Sequence, residues 1–155
     1  MTAAEALAKL KRTVDLDAFP PVSDQEAGDI LAESARWSER TGETEYAFGA
    51  FVRSASGRLL RAVAAGTTAA AEPSGFAATC RGYLVTDGTV RWEDVGPAHN
   101  DPYDFTAAKR RLYDLRAQRT AELIATSDAG QSVHLEQQHE HWVRMRDAQR
   151  PFYAV

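Results

Sequence analysis

The side chains of this chain best suited to metal chemistry are His134, His139 and His141, which alternate with Glu136 and Glu140. A metal needs several imidazoles or carboxylates that converge on one point. On a helix, His134 and His139 would lie about 140° apart around the axis, and residues two apart, such as His139 and His141, point in different directions. We therefore expect surface or subunit-contact residues here, with no bound metal or other cofactor.

Other catalytic signatures are equally weak. Cys80 is the only cysteine, so it can form neither an intramolecular disulfide nor a cysteine-based zinc site. The sequence contains no glycine-rich phosphate loop, nucleophile elbow or HExxH motif. We expect no enzymatic activity. A small enzyme built on the histidine-rich segment is the alternative, and stoichiometric metal retained through purification would support it.

The charge balance favours protein partners. The formal net charge is −4, from 18 basic and 22 acidic side chains, which gives no global attraction to nucleic acid or anionic membrane. The first residues lack the basic start and apolar run of a secretory signal, and no window approaches the roughly 18 apolar residues of a membrane span. We expect a soluble protein made in a cytoplasm.

Capping signals and apolar periodicity predict four helices. The boxes Thr2 to Glu5 and Ser23 to Glu26 predict two N-terminal helices, the second over 24–39 with Trp37 on its apolar stripe. Asp104 is a suitable N-cap for a long third helix. After an interruption, a fourth helix is predicted over 132–149.

A β-patterned block separates the second and third helices. Strands are predicted over 46–52, 59–64, 82–85 and 89–94. A loop is predicted at 66–78, between the second and third of them. Asp87-Gly88 predicts a type I′ hairpin turn. The expected fold is therefore mainly α, a four-helix domain of residues 1–42 and 97–155 interrupted by a small antiparallel β module at 43–96.

The aromatic residues of this block have two interpretations. Four of them are candidates for either the core of a small sheet or an exposed platform that binds a glycan or protein: Tyr46, Phe48, Tyr83 and Trp92. In the second case the helices would be the scaffold of a binding module. Burial of Trp92 would exclude the platform.

The order of the helices, with Asp128-Ala-Gly-Gln-Ser132 leading into the fourth, resembles the head-to-tail adaptor (connector, head-completion) proteins of long-tailed bacteriophages. The block independently resembles small β modules of phage structural proteins that are related to chitin-binding modules. The motifs that carry this second resemblance follow in order: Tyr46-x-x-Gly49, Ala65-Gly66-Thr67, Glu72-Pro73 and Asp87-Gly88-Thr89-x-x-Trp92.

This resemblance implies a structural protein of the virion neck, assembled in the host bacterial cytoplasm. Such a protein forms a homo-oligomeric ring, usually dodecameric, that joins the portal protein to a neck or tail-completion protein and continues the DNA channel. DNA would be only cargo passing through during genome packaging and delivery, and no membrane is involved. A monomer is compatible with the protein before it meets the portal.

Two sets of residues are candidates for the assembly contacts. A ring needs two different complementary faces on each subunit, so we expect acids of the second helix to meet arginines of the neighbouring subunit's third helix. These residues are Asp24, Glu26, Asp29 and Glu33, and Arg110, Arg111, Arg116 and Arg119. The apolar C-terminal tail would dock on the portal or, alternatively, fold back onto its own helices. Its residues are Arg150, Pro151, Phe152, Tyr153 and Val155.

Overall fold

The computed structural model describes residues 1–127 and 132–149. These residues form four α-helices, a five-stranded mixed sheet and a two-stranded sheet, with 43% helix and 21% strand. The expectation of a mainly α fold with an antiparallel module is therefore wrong. The strands in the middle of the chain form a mixed sheet with its own core, so the fold is α+β.

The chain divides into two compact units. The helical unit contains residues 1–35 and the described residues from Tyr103 onward, and the β unit contains 36–102. The helices are α1 (Ala3–Lys11), α2 (Asp24–Glu33), α3 (Phe105–Thr126) and α4 (Ser132–Ala148). None of the helices in the described ranges is both long and apolar enough to cross a membrane.

Local hydrogen bonds begin the first three helices where the sequence predicts. The amide of Glu5 donates to Thr2 Oγ1 at 3.2 Å, and the amide of Thr2 donates to the Glu5 carboxylate at 2.8 Å. Ser23 and Glu26 repeat this reciprocal arrangement, and Asp104 accepts the amide of Ala107 at 3.0 Å. Both capping boxes and the Asp104 cap are confirmed, because each satisfies amides that the helix itself leaves unpaired.

Helix α2 ends earlier than predicted, at Glu33. The carbonyl of Ser34 accepts the amide of Asp104 at 2.8 Å, and Ala35 forms a β-bridge with Tyr103. These bonds draw the backbone away from the helix. Trp37 consequently belongs to the β unit and not to the apolar stripe of a helix. It is buried there, and its Nε1 donates to the carbonyl of His99 at 3.0 Å.

One apolar core holds the helical unit together. The buried residues of α3 recur at helical spacing, including Ala108, Leu112 and Ala117, and Trp142 joins them from α4. Leu10 and Leu31 contribute from α1 and α2. Full burial of such a side chain stabilises a fold by about 1.5–3 kcal/mol, so segments from both ends of the chain depend on one another.

The β unit contains seven strands, grouped into two sheets. They are β1 (Ser38–Glu39), β2 (Glu45–Tyr46), β3 (Phe51–Arg53), β4 (Arg58–Ala64), β5 (Gly66–Thr67), β6 (Leu84–Asp87) and β7 (Val90–Pro97). The larger sheet has the order β1-β3-β4-β7-β6, with β1 parallel to β3 and the other neighbours antiparallel. Strands β2 and β5 form the smaller sheet. The predicted loop at 66–78 thus contains a strand and a 3-10 helix, Ser74–Ala78.

One face of the larger sheet forms the core of the β unit. The buried side chains are Val52, Leu60, Ala62, Val90 and Trp92 from the strands and Phe76 from the 3-10 helix. The strand residues alternate with outward-facing neighbours, as a sheet with one packed face requires.

The β6–β7 hairpin lies where predicted, but its turn is different. Asp87 pairs with Val90, so the central turn residues are Gly88 and Thr89, and of these only Gly88 has a positive φ, +64°. That pattern is typical of a type II′ turn, not type I′. A side chain on Gly88 would also meet the carbonyl oxygen of Thr67 at 2.2 Å. Gly88 is required both for its φ and for this close approach.

Replacing Gly88 with alanine should therefore destabilise the β unit by roughly 2 kcal/mol or more, through positive-φ strain and the clash with Thr67. Denaturant unfolding followed by tryptophan fluorescence measures this change. Gly75→Ala is the matched control, because its added Cβ would lie 3.9 Å from Val85 Cγ1, an ordinary contact. Equal stability of the two variants would contradict this account of the turn.

Candidate functional site

The acids expected at a subunit interface form contacts within the chain. Glu33 pairs with Arg111 at 2.9 Å, Glu26 pairs with Arg119, and Asp24 pairs with Lys11 at 2.7 Å. Asp29, the fourth acid of α2, accepts a hydrogen bond from Gln25 at 2.9 Å. Two of the expected pairings between α2 and α3 therefore occur inside one subunit, and their role between subunits stays a prediction.

Arg116 does not belong to an exposed basic face. Its residue is only 1% exposed, its guanidinium donates to the carbonyl of Asp15, and it lies 4.6 Å from the ring centre of Trp142. Burial lowers the pKa of this guanidinium. Tyr113 stacks on the same indole, with ring centres 6.0 Å apart. Arg116 is thus part of the α3–α4 core and is unavailable to a neighbouring subunit.

Arg110 is the exposed member of the arginine set for which the structure gives no ion pair within residues 1–127 and 132–149. It is therefore the arginine best placed to meet an acid of another molecule. The acids Asp24 and Asp29 are exposed as well. Asp24 already pairs with Lys11, so Arg110 and Asp29 remain the candidates for a contact between subunits, and the buried Arg116 is no longer one.

The three histidines of α4 each contact a different residue. His134 contacts Gln138 at 3.2 Å, His139 Nδ1 lies 3.0 Å from the carbonyl of Ala117, and the His141 ring packs edge-on against Trp142. Among the described residues no group of three or more histidine, cysteine or acidic side chains is arranged to hold a metal ion.

The four aromatic candidates of the β unit separate into two pairs. Trp92 is fully buried, and Tyr46 packs against it edge to face, with ring centres 5.3 Å apart. Phe48 and Tyr83 are exposed. Because Trp92 is in the core, a binding platform that uses its ring is excluded.

Two arginine–aspartate pairs with buried carboxylates lie on the core side of the β unit, and neither was predicted. Arg40 donates to both carboxylate oxygens of Asp87, at 2.7 and 2.8 Å, and Arg58 binds Asp94 in the same bidentate way at 2.9 and 2.8 Å. Both aspartate side chains have no exposed surface. The alternation of β7 contained the signal, since Asp94 has the same parity as Trp92 and must face inward with it.

Burial raises the pKa of the Asp87 carboxyl, but hydrogen bonds from Arg40, the Ala69 amide and Trp92 outweigh it and hold the pKa below 3.8. Asp94 behaves alike, because bonds from Arg58 and the Gly96 amide outweigh burial. Both carboxylates therefore stay ionised, and their geometry suits a structural role.

The predicted portal-docking tail, Arg150 to Val155, lies outside the described residues. No protein-family model, curated protein or solved structure matches this chain. The surfaces and contacts of the chain itself are therefore the basis for any functional proposal.

Replacing Arg40 with methionine should destabilise the β unit by about 3–5 kcal/mol, because it leaves the buried Asp87 carboxylate without its counter-ion. Denaturant unfolding measures this loss. Arg53→Met is the control: Arg53 pairs with Glu39 at the surface and lies 5.3 Å from the Trp37 ring centre, so its loss should cost about 1 kcal/mol. Similar costs for the two variants would count against a special role for the buried pair.

Acidification should weaken the β unit through Asp87 and Asp94. Each has a folded-state pKa below its ordinary value of 3.8, so its contribution is complete above that value and is lost as the pH falls through the folded pKa. We expect stability to fall below about pH 4. The Asp94→Asn variant should be less stable at pH 7 and lose less stability on acidification than the wild type. If the free energies of unfolding of the variant and the wild type decreased equally on acidification, this assignment would be refuted.

Proposed function

We propose that this chain is a structural protein of a bacteriophage particle, a head-to-tail adaptor that assembles as a ring between the portal and the neck. In this proposal its task is assembly rather than catalysis. DNA is the cargo of the channel that the ring continues, and the protein resides in the virion after assembly in the bacterial cytoplasm.

The observation that carries the proposal is the architecture of the helical unit. Two short helices from the beginning of the chain and two long helices from its end share one core. This order is the one on which the resemblance to adaptor proteins rests. The packing adds support, because α1 and α2 contribute Leu10 and Leu31 to the same cluster as α3 and Trp142 of α4.

The way the β unit is connected supports an insertion into that helical unit. Its first and last residues are neighbours, since the amide of Arg36 donates to the carbonyl of Pro102 at 2.7 Å. Next to them, Ala35 and Tyr103 form a β-bridge. An insert with adjacent ends can be accommodated without separating the elements it interrupts. Among the described residues, the helical core is formed by residues outside 36–102.

The ion pairs within the chain reduce the number of residues that remain candidates for contacts between subunits. Arg111 and Arg119 have acidic partners in their own chain, and Arg116 is buried. Asp24 pairs with Lys11 in the same chain as well. We therefore assign the predicted charge contact to Arg110 on one subunit and to Asp29 on the next. Docking on the portal is assigned to the tail, Arg150 to Val155.

The decisive experiment mixes the full chain with the portal protein of the same particle and examines the product by electron microscopy and light scattering. We expect a defined complex with the symmetry of the portal. Deleting residues 151–155 should abolish this complex while circular dichroism shows the fold retained, because the apolar tail is the expected docking peptide.

A second variant keeps the test decisive if the deletion disturbs folding. Replacing Phe152 and Tyr153 together with serine removes the aromatic anchors and keeps the chain length. A folded double variant that binds the portal like the wild type would contradict the docking role. Absence of any complex between the wild-type chain and its portal would overturn the adaptor proposal.

A further inference from the structure

The second face of the five-stranded sheet carries a row of four side chains in register. Phe51 of β3 is opposite Arg61 of β4, Arg61 is opposite Glu93 of β7, and Glu93 is opposite Leu84 of β6. Their strand neighbours Val52, Leu60, Trp92 and Val85 belong to the core on the other face or pack against it. By strand alternation the four residues of the row therefore share the outward face.

This row is exposed although its ends are apolar. Phe51 is 40% exposed and Leu84 is 44% exposed, and between them the side chains of Arg61 and Glu93 form an ion pair and are 48% and 29% exposed. Val95 and a second arginine, Arg81, border the same depression as Arg61 and Glu93. A solvated antiparallel sheet usually presents polar residues to water, so association through this face would remove the two apolar ends of the row from water.

The order of the row is self-complementary. Across β3, β4, β7 and β6 it reads apolar, positive, negative, apolar. A two-fold axis parallel to the strands, between β4 and β7, reverses that order and turns the face over. Arg61 then faces Glu93 of a second molecule, and Phe51 faces its Leu84.

A further apolar contact follows from the same rotation. Leu59 lies two residues before Arg61 on β4, and Val95 lies two residues after Glu93 on the antiparallel β7, so both lie beyond the row toward the same end of the strand pair. The pairing shifts register there, so that Leu59 is opposite Gly96 and Val95 lies at the irregularity. Both are partly exposed. The two-fold axis places Leu59 of one molecule against Val95 of the other, an apolar pair beside the four charges.

We propose that this sheet face binds the same face of a second copy of the chain in an isologous, face-to-face contact. Two sheets packed about 10 Å apart interdigitate the side chains of their facing surfaces. The two Arg61–Glu93 pairs become one network of alternating charge, flanked by Phe51 against Leu84. This contact does not depend on the adaptor proposal, and its loss would leave portal binding to be tested separately.

The test is the oligomeric state of the full chain, measured by sedimentation velocity and light scattering from roughly 10 μM to 1 mM. We expect reversible dimerisation of the wild type. Arg61→Glu or Glu93→Arg alone places like charges opposite each other across the axis and should weaken dimerisation at least about tenfold. The double variant Arg61→Glu with Glu93→Arg restores opposite charges and should recover it.

Two further variants test the apolar ends of the row and provide a control at an unrelated ion pair. Phe51→Ser combined with Leu84→Ser should give a folded monomer, because both side chains are exposed and contribute little to the β-unit core. Lys11→Glu makes the same change of charge at an exposed pair with Asp24 in the helical unit, with side chains 45% and 62% exposed, and should leave dimerisation unchanged.

Three results would overturn the proposal. One is a wild type that stays monomeric up to roughly 1 mM, whether or not the face then binds another protein. The others are a folded Arg61→Glu variant that associates like the wild type, and a folded double variant that fails to recover association. Circular dichroism and tryptophan fluorescence establish folding of each variant.

Discussion

The β unit depends on the buried ion pair between Arg40 and Asp87. The carboxylate accepts two hydrogen bonds from Arg40, one from the amide of Ala69 and one from Trp92 Nε1. The guanidinium also donates to the carbonyls of Ala69 and Ala71. One carboxylate thereby joins the residue after β1, the segment after β5, the end of β6 and the central indole of the core. A buried charge is tolerated only with such complete pairing, so each of these segments requires the others.

The second pair explains why a core of only six buried apolar residues can specify the sheet register. Along β7 the inward positions are Val90, Trp92, Asp94 and Gly96, so the apolar pattern ends in a charge. Asp94 meets Arg58 of β4 and also accepts the amide of Gly96 at 2.8 Å. A slip of β4 against β7 by one residue would expose the apolar side chains and also separate this pair. The charged contacts thus penalise wrong registers that apolar contacts alone would discriminate less strongly.

The sequence predicts the parts of the fold that local hydrogen bonds determine. The capping boxes at Thr2 and Ser23 and the cap at Asp104 involve residues three apart, so their geometry can be inferred without the rest of the chain. The end of α2 could not be inferred, because Ser34 bonds to Asp104, seventy residues away in the chain. The parallel pairing of β1 with β3 has the same origin, since a two-residue strand carries almost no periodic signal of its own.

Arg116 illustrates a different limit, in which the pattern was present but the residue type was misleading. It lies four residues after Leu112 and four before Thr120, both buried, so helical spacing alone places it on the inward face of α3. Its charge suggested a solvated surface instead. The ring of Trp142, stacked on Tyr113, provides a face for the guanidinium, and the carbonyl of Asp15 accepts one of its hydrogen bonds. Periodicity is therefore the better guide wherever an aromatic residue is available to cover the cation.

The acidic α2 and basic α3 show why complementary charge alone cannot identify a subunit interface. Helices that share a core bring their flanking side chains together within one molecule, and Glu33–Arg111 and Glu26–Arg119 are such flanking pairs. Their charges are already balanced, so a second molecule gains little from approaching them. An exposed ion pair with apolar neighbours on the same face is a different case, because association then removes apolar surface from water while the charges find additional partners. The row from Phe51 to Leu84 meets that condition, because its two apolar ends are 40% and 44% exposed beside the Arg61–Glu93 pair.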